Sequence, residues 1–197
     1  LWAWGYGGLG QLGDNFDGKS LFPRQVGTQK TWMSLSAFIH SLALKTDSTL
    51  WAWGANANGP LGLSSTMDKS SPTQVGTLAS WSNVAIATSA SFAVKTDSTL
   101  WAWGNNSGGL LGQNTITSNL YPTEITPLTN WGTAVSSLGA GASHSLAVKT
   151  DGTLWGWGGG TAHGLLGDGT TTAKSSPIQI GTLADWARVS AGVYHSL

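Results

Sequence analysis

The chain has 197 residues, 40% of them apolar, with nine basic and nine acidic side chains and no cysteine. That apolar content can fill one or two domain cores, while zero net charge argues against the basic stripe that nucleic-acid binding needs, and the lack of cysteine excludes disulfides and thiolate metal sites. No run approaches the ~20 apolar residues of a membrane helix, so membrane insertion is not expected. At 9% charged residues, well below the ~25% of ordinary domains, solubility rests on Ser, Thr, Asn and Gly.

All twelve tryptophans fall into one register. Pairs stand at Trp2/Trp4, Trp51/Trp53, Trp101/Trp103 and Trp155/Trp157, and lone partners at Trp32, Trp81, Trp131 and Trp186, always 28 or 29 residues beyond the second Trp of a pair. A leading Leu recurs at Leu1, Leu50, Leu100 and Leu154, giving periods of 49, 50 and 54. A period near fifty marks a solenoid or a propeller. Pro23, Pro72, Pro122 and Pro177 keep the same register. The repeat units are approximately 1–49, 50–99, 100–153 and 154–197, and together they form a single propeller domain or part of one.

Within the second unit the elements follow in order. A strand is predicted over Thr49–Gly54, then a Gly/Asn/Ser loop, then strands over Pro72–Gly76, Ser82–Thr88 and Ser91–Thr96. Val, Ile, Thr, Phe and Trp in short runs bounded by Gly, Pro, Asn or Asp carry that assignment. Four antiparallel strands per fifty residues fit one propeller blade. The strands before and after each tight turn are joined by Lys45-Thr46-Asp47-Ser48-Thr49 and its copies at 95–99 and 149–153. Asp followed by Ser or Gly favours the positive φ of such turns, and both the Lys and the Asp read as solvated turn residues. Alternation puts Trp51 and Trp53 on one face of their strand and Leu50, Ala52 and Gly54 on the other. A sheet apolar on both faces must be covered on both, and the small Ala/Gly face is expected to receive the indoles of a neighbouring blade.

The stretch His144 to Gly158, reading HSLAVKTDGTLWGWG, is followed by Leu166-Gly167-Asp168-Gly169-Thr170 and Pro177. It closely resembles the regulator of chromosome condensation repeat, as does the opening Trp4-Gly5 through Gly10-Gln11-Leu12-Gly13-Asp14. The resemblance covers the whole chain in four copies and implies an all-β propeller of four-stranded antiparallel blades, seven-bladed in the eukaryotic founder. Two closures stay open: a window of a larger, seven-bladed ring, or a closed four-bladed ring whose last strand pairs with the first. The low charge and the likeness among the copies resemble bacterial or phage versions of the repeat. The copies also depart from the pattern. His40, His144 and His195 are matched by Ala90, the third unit has four extra residues between Trp131 and Trp155, and Gly-Gln-Leu-Gly becomes Gly59-Pro60-Leu61-Gly62 and Gly109-Leu110-Leu111-Gly112.

Other motifs carry little chemistry. Gly5–Gly10 and Gly8–Gly13 match a dinucleotide fingerprint without the helix that would receive a pyrophosphate. Asp14-Asn15-Phe16-Asp17-Gly18 is oxygen-rich but lacks calcium-loop spacing and a closing Glu, so it reads as a polar turn. The equivalent histidines stand in different units, which favours a repeated packing role over a shared metal. No cofactor, metal or catalytic set is assigned, and the protein is expected not to be an enzyme.

The expected function is a non-enzymatic scaffold that binds a protein or a surface glycan. Its loops near 55–68, 105–120 and 159–174 diverge most, and function on rigid scaffolds concentrates in such loops. The candidate binding residues are Asn56, Asn58, Asn105, Asn106, Asn114 and His163. The expected setting is extracellular, at a cell surface or on a virion, within a larger assembly. The family resemblance implies an alternative, guanine nucleotide exchange on a small GTPase, although a dedicated wedge loop is not visible.

Overall fold

A computed structural model describes residues 1–133, 137–159 and 163–197. The strands are antiparallel and follow one another as a meander. Those of the first sheet are β1 (Trp2–Gly5) and β2 (Ser20–Gln25). Next come β3 (Trp32–Ala37), β4 (His40–Lys45), β5 (Leu50–Gly54) and β6 (Lys69–Gln74), then β7 (Trp81–Ile86), β8 (Ala90–Lys95), β9 (Leu100–Gly104) and β10 (Asn119–Glu124). The last sheet is β11 (Leu138–Ala140), β12 (His144–Val148), β13 (Leu154–Gly158) and β14 (Lys174–Gln179). Three four-stranded blades therefore follow a two-stranded half-blade, and the chain ends in a short hairpin bridged at Ala191 and Ser196.

The first strand of each complete blade lies innermost: β7 packs against both β3 and β11. The fourth strand forms the outer rim and has one neighbour. That position explains a difference from the sequence reading, in which the outer strand of the second unit starts at Pro72. The strand instead runs from Lys69 to Gln74 with Pro72 inside it. A proline cannot donate to a ladder and is confined to edges and bulges. Both conditions hold here, because β6 is an edge and its register against β5 shifts between Ala52 and Gly54.

The tryptophan pairs serve the contact between blades, by a route the sequence did not show. Trp53, Trp103 and Trp157 are buried. Each donates its indole N–H backwards to a loop carbonyl of the preceding unit: Gln11 at 3.1 Å, Pro60 at 2.8 Å and Leu110 at 2.9 Å. The ring lies on the second glycine of the Gly-x-Leu-Gly turn in that loop. A Cβ at Gly62 would sit 2.8 Å from Trp103 Nε1, and Gly13 and Gly112 stand equally close to Trp53 and Trp157. The close approach expected at the small face of the Trp strand is thus made by the loop glycines. The same loops also run forward, where Asn15, Ser64 and Asn114 donate their backbone N–H to the outer strand of the next blade at Ser70, Leu120 and Ser175.

Apolar clusters fill the seams. One joins Leu42, Leu44, Leu50 and Leu61 to Trp81, Val84, Ile86 and Trp103 across two blades. The next joins Phe92, Leu100, Leu111 and Ile125 to Trp131, Leu138 and Trp157. Since each cluster draws on two units, one unit alone cannot bury its own face, as repeat architectures require.

The tight turns form as expected, with Ser48, Ser98 and Gly152 at positive φ. Asp47 accepts hydrogen bonds from Thr49 N (3.0 Å) and Oγ1 (2.6 Å), and Thr49 Oγ1 accepts from Trp51 Nε1 at 2.9 Å. Asp97 and Asp151 repeat that chain. These bonds from the Thr side chain, then from its backbone, hold all three carboxyls below their usual range. The lysines depart from the sequence reading: Lys45 and Lys95 are buried rather than solvated. Lys45 Nζ sits 3.4 Å from the Trp51 ring centroid and Lys95 Nζ 3.6 Å from that of Trp101. An ammonium held over an indole face is attracted by its quadrupole, and a second indole lies near each ammonium, Trp32 at 5.3 Å from Lys45 Nζ and Trp81 at 5.2 Å from Lys95 Nζ.

Candidate binding face

In a four-stranded meander the first and third connections leave from one edge of the blade and the second from the other. One face of the arc therefore carries the tight turns together with the short links between blades at 26–31, 75–80 and 125–130. The opposite face carries the long loops 6–19, 55–68 and 105–118 and the inner turns at Phe38, Thr88 and Ala142.

The loops are stiff because a buried asparagine spans each of two of them. Asn56 Nδ2 donates to the carbonyls of Ser65 (2.8 Å) and Met67 (3.0 Å), and its Oδ1 accepts from Leu61 N at 3.1 Å. Asn106 does the same with Thr115, Thr117 and Leu111 at 2.9, 3.1 and 2.8 Å. Two of the six candidate residues thus spend their amide groups inside the loop. They shape the face from beneath.

The other four lie nearer the surface. Asn58 is exposed, Asn105 is half-buried with Oδ1 accepting from Ser107 N at 2.8 Å, and Asn114 is exposed at φ 56°. His163 is exposed and its ring stands 5.2 Å from that of Tyr194. The divergent loop at 159–174 includes residues 160–162, which lie outside the described residues. Three exposed apolar side chains accompany these polar groups: Phe16, Met67 and Ile116, one on each of three successive loops. Their signal in the sequence was an apolar residue inside a polar loop, away from the repeat register.

The equivalent histidines do not converge. His40 Nε2 lies 2.8 Å from Ser91 Oγ in the next blade, and Ser91 Oγ donates to the Pro60 carbonyl at 2.7 Å. His144 Nε2 lies 2.9 Å from Ser196 Oγ, which donates to the Leu165 carbonyl at 2.7 Å. A serine whose proton goes to a carbonyl must accept from the imidazole, which fixes the neutral Nε2–H tautomer. Burial pushes His40 down from 6.5 to about 4, and burial followed by the charge of His195 lowers His144. Where the preceding unit has Ala90, Ser145 reaches its carbonyl, Leu110, at 3.3 Å, longer than in the two complete relays.

The oxygen-rich turn at Asp14 is also accounted for. Asp14 Oδ2 pairs with Arg24 Nε at 2.8 Å and Oδ1 accepts from Phe16 N at 3.2 Å. Among the described residues no group of three or more His, Asp or Glu side chains is placed to hold a metal ion.

The arc of blades matches solved propellers. Human WBSCR16 superposes over 99% of this chain and 52% of its own, at 20% identity and a TM-score of 0.86. Prp20p of Saccharomyces cerevisiae, studied for its binding to Gsp1p and histones, superposes over 99% and 50% at 23% identity and a TM-score of 0.83. Yeast RCC1 (Prp20) bound to Kap60 superposes over 93% and 45% at 23% identity and 0.73. The chain spans about half the length of these structures. No curated protein matches it. The sequence pattern of the regulator of chromosome condensation (RCC1) repeat matches residues 47–94, 97–148 and 151–197, and a second form of it matches 135–164. With its tryptophans, loop glycines and turn aspartates in that register, the chain belongs to the RCC1 repeat family of β-propellers.

Proposed function

We propose that the chain is a non-catalytic scaffold that binds a protein partner through its long-loop face. The observation that carries this reading is the construction of that face. Two loops are pinned from below by Asn56 and Asn106, and they present exposed Asn58, Asn114, Met67 and Ile116 to solvent. A preorganised surface with apolar anchors among adaptable polar groups suits macromolecular recognition, since less ordering is lost on binding. Prp20p binds Gsp1p and histones, which supports a protein over a glycan as the partner. A glycan, and a place on a cell surface or a virion, belong to the same proposal on the strength of the Ser/Thr/Asn-rich, weakly charged loops. Nucleotide exchange on a small GTPase is the second reading, favoured by the similarity to Prp20p.

The test is substitution of the loop surface in a binding assay. Met67→Ser with Ile116→Ser, and separately Asn58→Ala with Asn114→Gly, which suits the φ of 56° at that position, should weaken capture of the partner while leaving the unfolding free energy within about 0.5 kcal/mol, as surface changes do. Partner binding unchanged in both double variants rejects this face. A nucleotide-release assay on a panel of small GTPases separates the second reading.

A further inference from the structure

The lone tryptophans of two successive seams differ in one respect. Trp131 Nε1 donates to the Leu128 carbonyl at 3.2 Å, on the link that enters its own blade. Trp81 packs in the same way. Its ring centroid lies 5.9 and 6.3 Å from those of Trp101 and Trp103, at 83° and 59°, and Trp131 lies 6.2 and 5.9 Å from Trp155 and Trp157, at 79° and 63°. The Trp81 N–H is therefore directed at its own link, on the side of Leu78. Yet Trp81 is 2% exposed and its Nε1 has no hydrogen-bond partner among the described residues. A buried donor left unpaired forfeits the bond it makes to water in the unfolded chain, so an acceptor at that point is favoured.

Trp81 lines a cavity of about 420 Å³ in the seam between the blade of β3–β6 and the blade of β7–β10. Leu63, Gln74 and Leu78 of the first blade and its link share the wall with Trp101 and Tyr121 of the second. Tyr121, on the outer strand β10, is 55% exposed and marks the mouth. The sequence sets this seam apart. The residue after the Gly-x-Leu-Gly turn is Asp14, Leu63, Gln113 and Asp168 in the four units. Asp14 pairs with Arg24, Gln113 donates to the carbonyls of Ala102 and Thr123, and Asp168 pairs with Lys174. Leu63 instead puts an aliphatic wall at that place, and no residue lining the cavity is charged.

We propose that this cavity binds a neutral sugar unit. Apolar and aromatic walls with a few placed polar groups are the usual make-up of a small-molecule site, and a pyranose matches each of them. It offers an oxygen acceptor to Trp81 Nε1, hydroxyls to the Gln74 amide, and C–H surface to the Tyr121 and Trp101 rings and to Leu63 and Leu78. A charged ligand would lose its hydration with no counter-charge on the wall to replace it. A peptide would have to carry a backbone carbonyl, with its flanking residues, in to an indole that is 2% exposed, whereas a sugar oxygen reaches it alone. A free sugar and the end residue of a glycan present the same groups. The site does not rest on the loop-face reading: Asn58, Met67, Asn114 and Ile116 are not among the residues that line it.

Indole N–H resonances read the site directly. The chain has twelve tryptophans, and the Trp81 signal is the one lost in Trp81→Phe. Titration with glucose, galactose, mannose and N-acetylglucosamine, each free and as its methyl glycoside, should shift that signal more than Trp131's for at least one sugar. A response to the free sugar alone makes that the ligand, and an equal response to the glycoside makes it the end of a glycan. Calorimetry with the responding sugar should show binding weakened roughly three- to tenfold in Trp81→Phe, which lacks the donor, and in Tyr121→Ser, which lacks the ring, about the effect of one hydrogen bond or one ring contact. Tyr121 is exposed, so its variant keeps the test readable if Trp81→Phe unfolds. No shift at Trp81 with any sugar, an affinity unchanged in both variants, or a response to blocked trialanine where no sugar acts, overturns the proposal. The Met67→Ser, Ile116→Ser double variant leaves this readout unchanged, so failure here and failure of the loop-face proposal are distinguishable.

Discussion

Trp4 and Trp103 occupy the same place in the same five-residue motif, Leu-Trp-Ala-Trp-Gly, yet Trp4 is 62% exposed and Trp103 fully buried. Local sequence cannot account for that. What differs is the preceding blade: Trp103 has the Pro60 carbonyl and Gly62 behind it, and no such loop lies behind Trp4 among the described residues. The tryptophan pair is therefore a contact between units rather than a feature of one strand. Its burial depends on a glycine about forty residues earlier in the chain.

The largest break in this comparison is Trp103→Ala. It removes a fully buried indole from a two-blade cluster and should cost roughly 3–5 kcal/mol in denaturant unfolding. Trp4→Ala in the 197-residue chain should cost less than about 1 kcal/mol.

Acid should act next, through the relay. His40 is buried and neutral, with its folded pKa lowered from 6.5 to about 4. The unfolded chain takes up a proton as pH falls through 6.5 while the folded chain does not, so stability is lost between about pH 6.5 and pH 4. The full effect of this group is roughly 3 kcal/mol, read as the fall in unfolding free energy across that window. His40→Ala, which copies the natural Ala90, should flatten much of the profile. An unchanged slope would remove His40 as its cause.

Gly62→Ala sharpens the comparison from the other side. The new methyl meets the Trp103 ring, at a backbone φ of +70° that favours glycine, and roughly 1–3 kcal/mol of stability should be lost. Gly76→Ala is the control, since its φ is +62° but no atom lies within 4 Å of the added carbon. It should cost only the conformational part, about 1 kcal/mol. Lys95→Met is the mildest of the core changes. It keeps an aliphatic side chain and removes the ammonium 3.6 Å from the Trp101 centroid and 5.2 Å from that of Trp81, for a loss of about 0.5–2 kcal/mol. Thermal unfolding in parallel with wild type reads both.

The fold was legible because its signals are local or strictly repeated. Trp register, turn aspartates and short strand runs place every blade without reference to distant contacts. The partners of those residues were not legible. Nothing near Lys95 in sequence reveals that its ammonium lies against two indoles, since Trp81 and Trp101 meet it only after the strands pair. Pro72 looked like a strand start and proved to be mid-strand, because only the finished sheet shows that its strand is an edge. At the binding face, composition identified the loops and not the direction of their side chains. Asn56 and Asn58 are two residues apart, and one is buried beneath the loop while the other faces solvent.

Hydrogen exchange of the four Trp strands in the 197-residue chain tests the account most directly. Strands β5, β9 and β13 should exchange slowly, at rates near global unfolding, while β1, with the same sequence motif and no preceding blade among the described residues, exchanges through local opening. Equal protection of β1 and β9 in that chain would contradict the claim that the preceding blade, rather than the motif, holds the tryptophans in place.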